Sequence, residues 1–263
     1  MRIALLFNQD IHANRALNLL APQIRQHKLG FFTSSHVGNK QTRHAELEKL
    51  YFSEQTLFNE HLFPALEHAR KRAAQLTFNQ IAEDFNTSIV NLDDVNTLSG
   101  HAKMRAFKPD LMISIRFGKI LKDEAINIPS KGVINLHSGI LPNYRGVMAT
   151  FWALKKNETE IGTTLHWISD SGIDTGRIIS ISKQKVASTS YFAQVQSLYE
   201  PGVKQIIQAI NTLEDGETLP EIAPTGEEHY YSFPLDGDID AFLSSGQSLI
   251  NDTDRLHMTQ SFS

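Results

Sequence analysis

A chain of 263 residues has room for one large domain, or for one of about 200 residues with a small attached piece. Hydrophobic residues make up 41% and charged residues 21%, a globular balance that excludes a disordered or collagen-like chain. No cysteine is present, which removes disulfide scaffolds, Cys-ligated zinc, iron–sulfur clusters and a cysteine nucleophile, and the formal net charge of −4 offers no general field for nucleic acid.

The chain opens with the apolar run Ile3 to Phe7, which reads as a fully buried strand. The run stops at Asn8, too short for a signal-peptide core, and no small-residue cleavage site follows. Nothing approaches the roughly 18 apolar residues of a spanning helix, so the expectation is a cytoplasmic protein without a membrane partner. Ala13 to His27 carries a helical period, and Gly30 to Thr33 reads as a second strand. This β-α-β opening predicts an α/β fold, an open, mostly parallel sheet with helices on both faces. The loop Asn8 to Asn14 contains no glycine, so neither a dinucleotide fingerprint nor a P-loop is present. His12 in that loop is expected to be solvated.

Glu46 to Gln75 is mostly helical in pattern, and its aromatic residues Tyr51, Phe52, Phe58 and Phe63 are expected to pack on the sheet rather than to meet a partner. Strands are expected at Ser88 to Leu92, Leu111 to Ile115 and Gly132 to His137, and helices at Val95 to Phe107 and Met148 to Lys156. Gly162 to Ile168 and Arg177 to Val186 read as two further strands, and Tyr191 to Leu213 as a helix. The tail from Glu217 to Ser263 is polar and turn-rich, with an apolar patch around Tyr230, Tyr231 and Phe233 and a weak helix near Ile239 to Leu243.

Chemistry concentrates between Asn135 and Asp174. Asn135 and His137 are two apart at a strand end, so both side chains point to the same side, and ligands of α/β sheets bind outside such carboxyl ends. Asp174 lies in the glycine-flanked loop Ser171 to Gly176. An amide, an imidazole and a carboxylate in one crevice suit acyl transfer: the amide bonds a developing oxyanion, the imidazole moves protons, and the carboxylate orients or charges the imidazole. With no activated Ser or Cys in the set, the nucleophile would be the substrate. Spacing alone leaves a purely structural alternative open, with Asn135 capping a turn and Asp174 holding loop amides.

The stretch Asn135-Leu136-His137-Ser138-Gly139-Ile140-Leu141-Pro142-Asn143-Tyr144-Arg145-Gly146 resembles the signature of the 10-formyltetrahydrofolate-dependent formyltransferases. That family includes methionyl-tRNA formyltransferase, glycinamide ribonucleotide transformylase, formyltetrahydrofolate deformylase and sugar N-formyltransferases. The likeness continues through Phe151-Trp152-Ala153 and Gly162 to His166, and ends in Asp174-Thr175-Gly176-Arg177-Ile178-Ile179. Upstream, Phe117-Gly118-Lys119-Ile120-Leu121 is similar to the family's folate-contacting loop.

The resemblance implies a Rossmann-like sheet, 10-formyltetrahydrofolate as formyl donor, no metal, and Asn135, His137 and Asp174 as catalytic residues. The acceptor amine would attack the formyl carbon, Asn135 and protonated His137 would stabilise the oxyanion, and Asp174 would support the charge on His137. It further implies a folate cleft formed by Phe117, Gly118, Lys119, Ile120 and Leu121 with Ser169, Asp170 and Ile173. On topological grounds Asn8, Asp10, Tyr144 and Arg145 flank the acceptor side. Arg145 suits a phosphate or, equally, a structural role on loop carbonyls. Gly139, where many members have serine, is expected to widen the pocket beside His137. Asn157, in place of a common glycine, tolerates a left-handed helix end. His166 is expected in the core or in support of the site.

A formyltransferase catalytic domain at 1–213 with a C-terminal extension at 214–263 leaves too little chain for the tRNA-holding barrel of methionyl-tRNA formyltransferase. The favoured acceptor is therefore the amine of a nucleotide-linked sugar, with Tyr230 and Tyr231 either stacking on it or packing the tail. Hydroxyornithine, tRNA and a non-catalytic folate- or nucleotide-binding module are the alternatives, and a homodimer is left open.

Overall fold

The computed structural model describes residues 1–35 and 44–263. Strand β1 (Arg2–Asn8) runs into helix α1 (Ile11–Leu20), which returns through a 3₁₀ turn to β2 (Lys28–Ser34). The first helix stops at Leu20, earlier than its period suggests, because Pro22 enters there and a tighter turn follows. Helix α2 (Ala45–Tyr51) leads into a π-helical stretch, Phe52–Leu62, and α3 (Phe63–His68). After α4 (Phe78–Glu83), which sequence reading missed, come β3 (Ile89–Asn91), α5 (Leu98–Phe107), β4 (Leu111–Ile115), the short α6 (Asp123–Ile126) and β5 (Val133–His137).

The second half comprises β6 (Arg145–Gly146), α7 (Ala149–Lys155), β7 (Glu160–Trp167), β8 (Ile178–Lys185), α8 (Tyr191–Ser197) and α9 (Tyr199–Glu214). The tail, expected to hold one weak helix, forms β9 (Tyr230–Tyr231), α10 (Asp236–Ser244) and α11 (Asp252–Gln260). A capping box, with Asn251 accepting from Asp254 N–H and Asp254 accepting from Asn251 N–H, starts the last helix despite its polar sequence.

The main sheet has the order β3-β2-β1-β4-β5-β7-β8. β3 to β5 are parallel, and β7 is antiparallel to both β5 and β8. The order reverses between β1 and β4, so the ligand crevice of this Rossmann-like sheet opens at their carboxyl ends. Alternation along β1 separates two cores. Ile3, Leu5 and Phe7 face one layer with α1, α8 and α9, whereas Ala4 and Leu6 face the other with Met104 of α5 and Ala125 of α6.

Gly202 lets α9 lie directly on the sheet, since a Cβ there would meet Leu136 at 2.9 Å. Ile239, Phe242, Leu249, Met258 and Phe262 of the C-terminal segment join the first core. At about 1.5–3 kcal/mol per fully buried side chain, their burial ties the tail firmly to the sheet layers. Asn157 adopts φ +59°, the left-handed helix end its side chain tolerates.

Candidate active site

Strand β5 delivers Asn135 and His137 to one side of its carboxyl end, where β7, antiparallel, places His166 opposite Asn135. Asp174 arrives from the loop after β7 in a left-handed turn, φ +54°, its Oδ2 accepting a hydrogen bond from Gly146 N–H at 2.9 Å. Gly176, two residues on, has no room for a side chain: a Cβ would sit 1.7 Å from the Trp167 carbonyl oxygen. The turn that aims Asp174 is thus fixed by a close backbone approach.

The ring of His137 is pinned by Nε2–H donating to the Tyr144 carbonyl at 2.6 Å. This leaves Nδ1 unspent, 3.5 Å from Asp174 Oδ2. His166 is pinned in the same manner, Nδ1–H donating to the Trp167 carbonyl at 2.9 Å. Its Nε2 accepts from the Asn135 amide at 3.0 Å and lies 3.4 Å from Asp174 Oδ1. The supporting role expected for His166 is therefore specific: it fixes the Asn135 amide and leaves that group's second N–H for a substrate oxygen.

Burial alone would raise the Asp174 pKa, but the charge of His137, together with the Gly146 N–H, holds it well below the usual carboxylate range. A depressed carboxyl stabilises the fold above its unfolded value of about 3.9, and that contribution is lost as pH falls through the folded value. Asp174→Asn is expected to lower Tm near pH ~7, with the deficit shrinking below pH ~4. Thermal melts across pH test this, and a deficit independent of pH contradicts it.

Gly139 does not open space. A Cβ there would stand 2.6 Å from His137 Nε2, 2.6 Å from the Ala149 Cβ and 2.8 Å from the Tyr144 carbonyl. The expected widening is corrected: the imidazole, Ala149 and the Tyr144 carbonyl fill the volume a side chain would occupy. Gly139→Ala is expected to dislodge His137 from its carbonyl anchor, with an overpacking cost of about 1–3 kcal/mol. Denaturant melts and the His137 ring resonances report it, and an unperturbed ring contradicts it.

His12, expected in solvent, is fully buried, and its Nε2 lies 3.0 Å from Glu54 Oε1. The exposed-loop expectation fails because α1 begins at Ile11, which turns the residue inward under the π-helical segment. Asn8 and Asp10 are buried as well. Asp10 Oδ1 accepts from Ala13 N–H at 2.9 Å and caps α1, while its Oδ2 accepts from Arg116 Nε–H at 2.7 Å.

Arg116 was not singled out by sequence reading, although a charge directly after the apolar run Leu111 to Ile115 is a signal for this edge. Burial opposes its charge, but Asp10, Tyr199 and Glu54 more than offset this and raise its pKa. Its Nη2 lies 3.6 Å from Glu54 Oε2. The Tyr199 hydroxyl beside it is pushed up to about 12, chiefly by burial.

The loop after β4 carries the expected folate residues. Gly118 N–H donates to Ser34 Oγ at 2.9 Å, Lys119 Nζ lies 3.5 Å from Asp93 Oδ1, and Ile120 is half exposed. Leu121 is buried in the second core layer. Across β5, Ser169 and Asp170 are exposed, Asp170 bonds Gly172 N–H at 2.7 Å, and the Ile173 carbonyl accepts from Arg145 Nε–H at 3.0 Å. Arg145 also pairs with Glu228. The Tyr144 hydroxyl donates to Glu158 at 2.6 Å, and burial followed by this bond raises its pKa. Among the described residues there is no group of three or more His, Asp or Glu that could hold a metal ion and no helix long and apolar enough to cross a membrane.

Residues 68–210, more than half of the chain, match the family described as Formyl transferase, and the chain belongs to that family. The methionyl-tRNA formyltransferase of Clostridium beijerinckii is 33% identical over 138 residues, 52% of this chain and 44% of that protein. The one from Thermodesulfovibrio yellowstonii is 37% identical over 133 residues, 49% and 41% of the two chains. The chain thus spans less than half the length of these curated relatives.

Similar folds include the 4-N formyltransferase of Francisella tularensis (TM-score 0.59, 19% identity, 90% of this chain and 77% of that one). An N-formyltransferase of Helicobacter canadensis, solved with folinic acid and dTDP-3-aminofucose, gives TM-score 0.58 at 17% identity over 96% and 85% of the chains. The glycinamide ribonucleotide transformylase of Symbiobacterium toebii gives 0.58 at 14% identity over 82% and 88%.

Proposed function

We propose that the protein transfers a formyl group from 10-formyltetrahydrofolate to the amine of a small acceptor, the first candidate being a nucleotide-linked amino sugar. One observation carries the formyl-transfer reading. Asn135, His137 and Asp174 converge at the carboxyl end of β5, and each is held by a bond that leaves one functional group unspent.

The donor, when bound, supplies an activated one-carbon carbonyl. The main-chain N–H and C=O groups of Phe117 and Lys119 form no hydrogen bond among the described residues, which fits a ligand with a base-like edge. The remaining Asn135 N–H and His137 Nδ1 converge on the oxyanion formed when an amine attacks, with the ionised Asp174 behind the imidazole, and collapse of that adduct breaks the donor's formyl C–N bond and releases tetrahydrofolate.

The acceptor side supports a small amine. A glycine-rich phosphate loop after β1 would present free α1 amides, but the Asp10 carboxylate already fills that place, which argues against a ribonucleotide phosphate seated there. Tyr231 is stacked between Tyr144 and Trp152, with centroids 5.7 and 5.0 Å away, so its ring packs the tail. Tyr230 is 52% exposed. It pairs with Arg145 through the backbone and lies over Gly146, whose N–H holds Asp174. This is a half-open aromatic face beside the reacting groups, suited to a base.

Turnover of 10-formyltetrahydrofolate with nucleotide-linked amino sugars, hydroxyornithine and methionyl-tRNA tests the assignment. The expected result is formylation of an amino sugar, with Tyr230→Ala raising the acceptor KM at least about fivefold, the lower end of a stacking contribution, and leaving the donor KM unchanged. Turnover of hydroxyornithine or tRNA alone removes the sugar assignment, and no turnover with any amine removes formyl transfer.

A further inference from the structure

Helices α1, α8 and α11 line a half-open cavity of about 300 Å³ on the face where the C-terminal segment packs. Its floor is apolar, formed by Ile11, Phe192, Met258 and Phe262. Its one permanent cation is Arg15, whose buried Nε has no hydrogen-bond partner. Among the described residues the Arg15 guanidinium has no carboxylate within ion-pairing distance.

A carboxylate and an imidazole also line the cavity. Asp254 lines the same cavity, but its Oδ2 already accepts from Ser190 Oγ at 2.6 Å and from Asn251 N–H at 2.9 Å, bonds that hold the start of α11. Gln75, Ser197 and Ser261 also line the cavity, as do His257 and Gln196. Neither side chain is hydrogen-bonded among the described residues, so both donors stand available beside Arg15.

A guanidinium without a counter-ion, amide and imidazole donors, and an aromatic floor make a pocket of ordinary ligand-site composition. We propose that this cavity binds a small organic anion, a carboxylate on an apolar, ring-sized body. The carboxylate meets Arg15, where a charge-assisted bond satisfies the orphaned Nε–H. The apolar body lies on Phe192 and Phe262.

The pocket stands apart from Asn135, His137 and Asp174 but touches the charged network at the crevice. Phe192 packs on the His12 ring at 4.5 Å, and His12 bonds the Glu54 that faces Arg116. An occupant bearing on Phe192 thus stands three side chains, Phe192, His12 and Glu54, from Arg116. Anion binding at Arg15 does not depend on formyl transfer.

Phenylacetate titrated calorimetrically into the full chain is the test, with phenylacetamide as the neutral probe. Saturable one-to-one binding is expected, weakened at least about tenfold both for phenylacetamide and in Arg15→Gln, a full decade in the dissociation constant. Ala193→Phe, which fills the cavity and leaves Arg15 in place, is expected to abolish binding. Thermal melts verify that each variant is folded, and ligand-induced stabilisation must follow the same order. Absence of saturable heat with the wild-type chain overturns the proposal, and so does equal affinity in Arg15→Gln or in folded Ala193→Phe.

Discussion

His137→Ala is expected to lower kcat by at least about a hundredfold with little change in the donor KM, the signature of a group that acts in the transition state. The geometry sets this expectation. Nε2–H is spent on the Tyr144 carbonyl, so Nδ1 alone faces the crevice, and Asp174 Oδ2 stands 3.5 Å behind it. On the proposed mechanism, removing the ring deletes an oxyanion donor, and it leaves a buried, ionised Asp174 without its strongest counter-charge. Asp174→Ala is expected to lose activity to a similar degree, because the carboxylate 3.5 Å from His137 Nδ1 is then gone. Steady-state kinetics on both variants decide this, and near-normal kcat in either contradicts the assigned roles.

Asn135→Ala is expected to cost about 3 kcal/mol in transition-state stabilisation, the loss of one oxyanion donor. Its amide is fixed by His166 Nε2 at 3.0 Å, so one N–H is aimed before any substrate arrives. This separates two readings of the asparagine. A turn-capping residue replaced by alanine lowers stability with kcat kept, whereas an oxyanion donor lowers kcat with Tm nearly kept. His166→Gln retains an acceptor for the amide and is expected to lie between wild type and Asn135→Ala.

The sheet was legible because its strands are apolar runs whose burial does not depend on distant residues. Leu111 to Ile115 is found as read, and Asn135 and His137 share a face because two-residue spacing on a strand requires it. Asp174 could be named from its glycine-flanked loop, but only resemblance weighed it against a structural role, since its approach to His137 rests on a left-handed turn and on Gly176 touching the Trp167 carbonyl.

What sequence reading missed depends on partners far along the chain. His12 is buried because Glu54, forty-two positions away, receives it. Arg116 is held by Asp10 across 106 positions. The strand pair of Arg145–Gly146 with Tyr230–Tyr231 is two residues long on each side, too short for any periodicity. Helix α11 reads as polar because Met258 alone among its apolar side chains is buried. The π-helical turn at Phe52–Leu62 blurs the 3.6-residue period by which a helix is recognised.

The central claim is that Asn135, His137 and Asp174 act as one unit on a formyl group. The most direct test follows tetrahydrofolate release from 10-formyltetrahydrofolate in the presence of an accepted amine, for wild type, His137→Ala, Asp174→Ala and the double variant. Residues that act as a unit are strongly non-additive, so the double variant is predicted to be about as slow as either single one, and all three are predicted to release tetrahydrofolate at least about a hundredfold more slowly than wild type. Multiplying losses in the double variant, or release at the wild-type rate in any of the three, would contradict it.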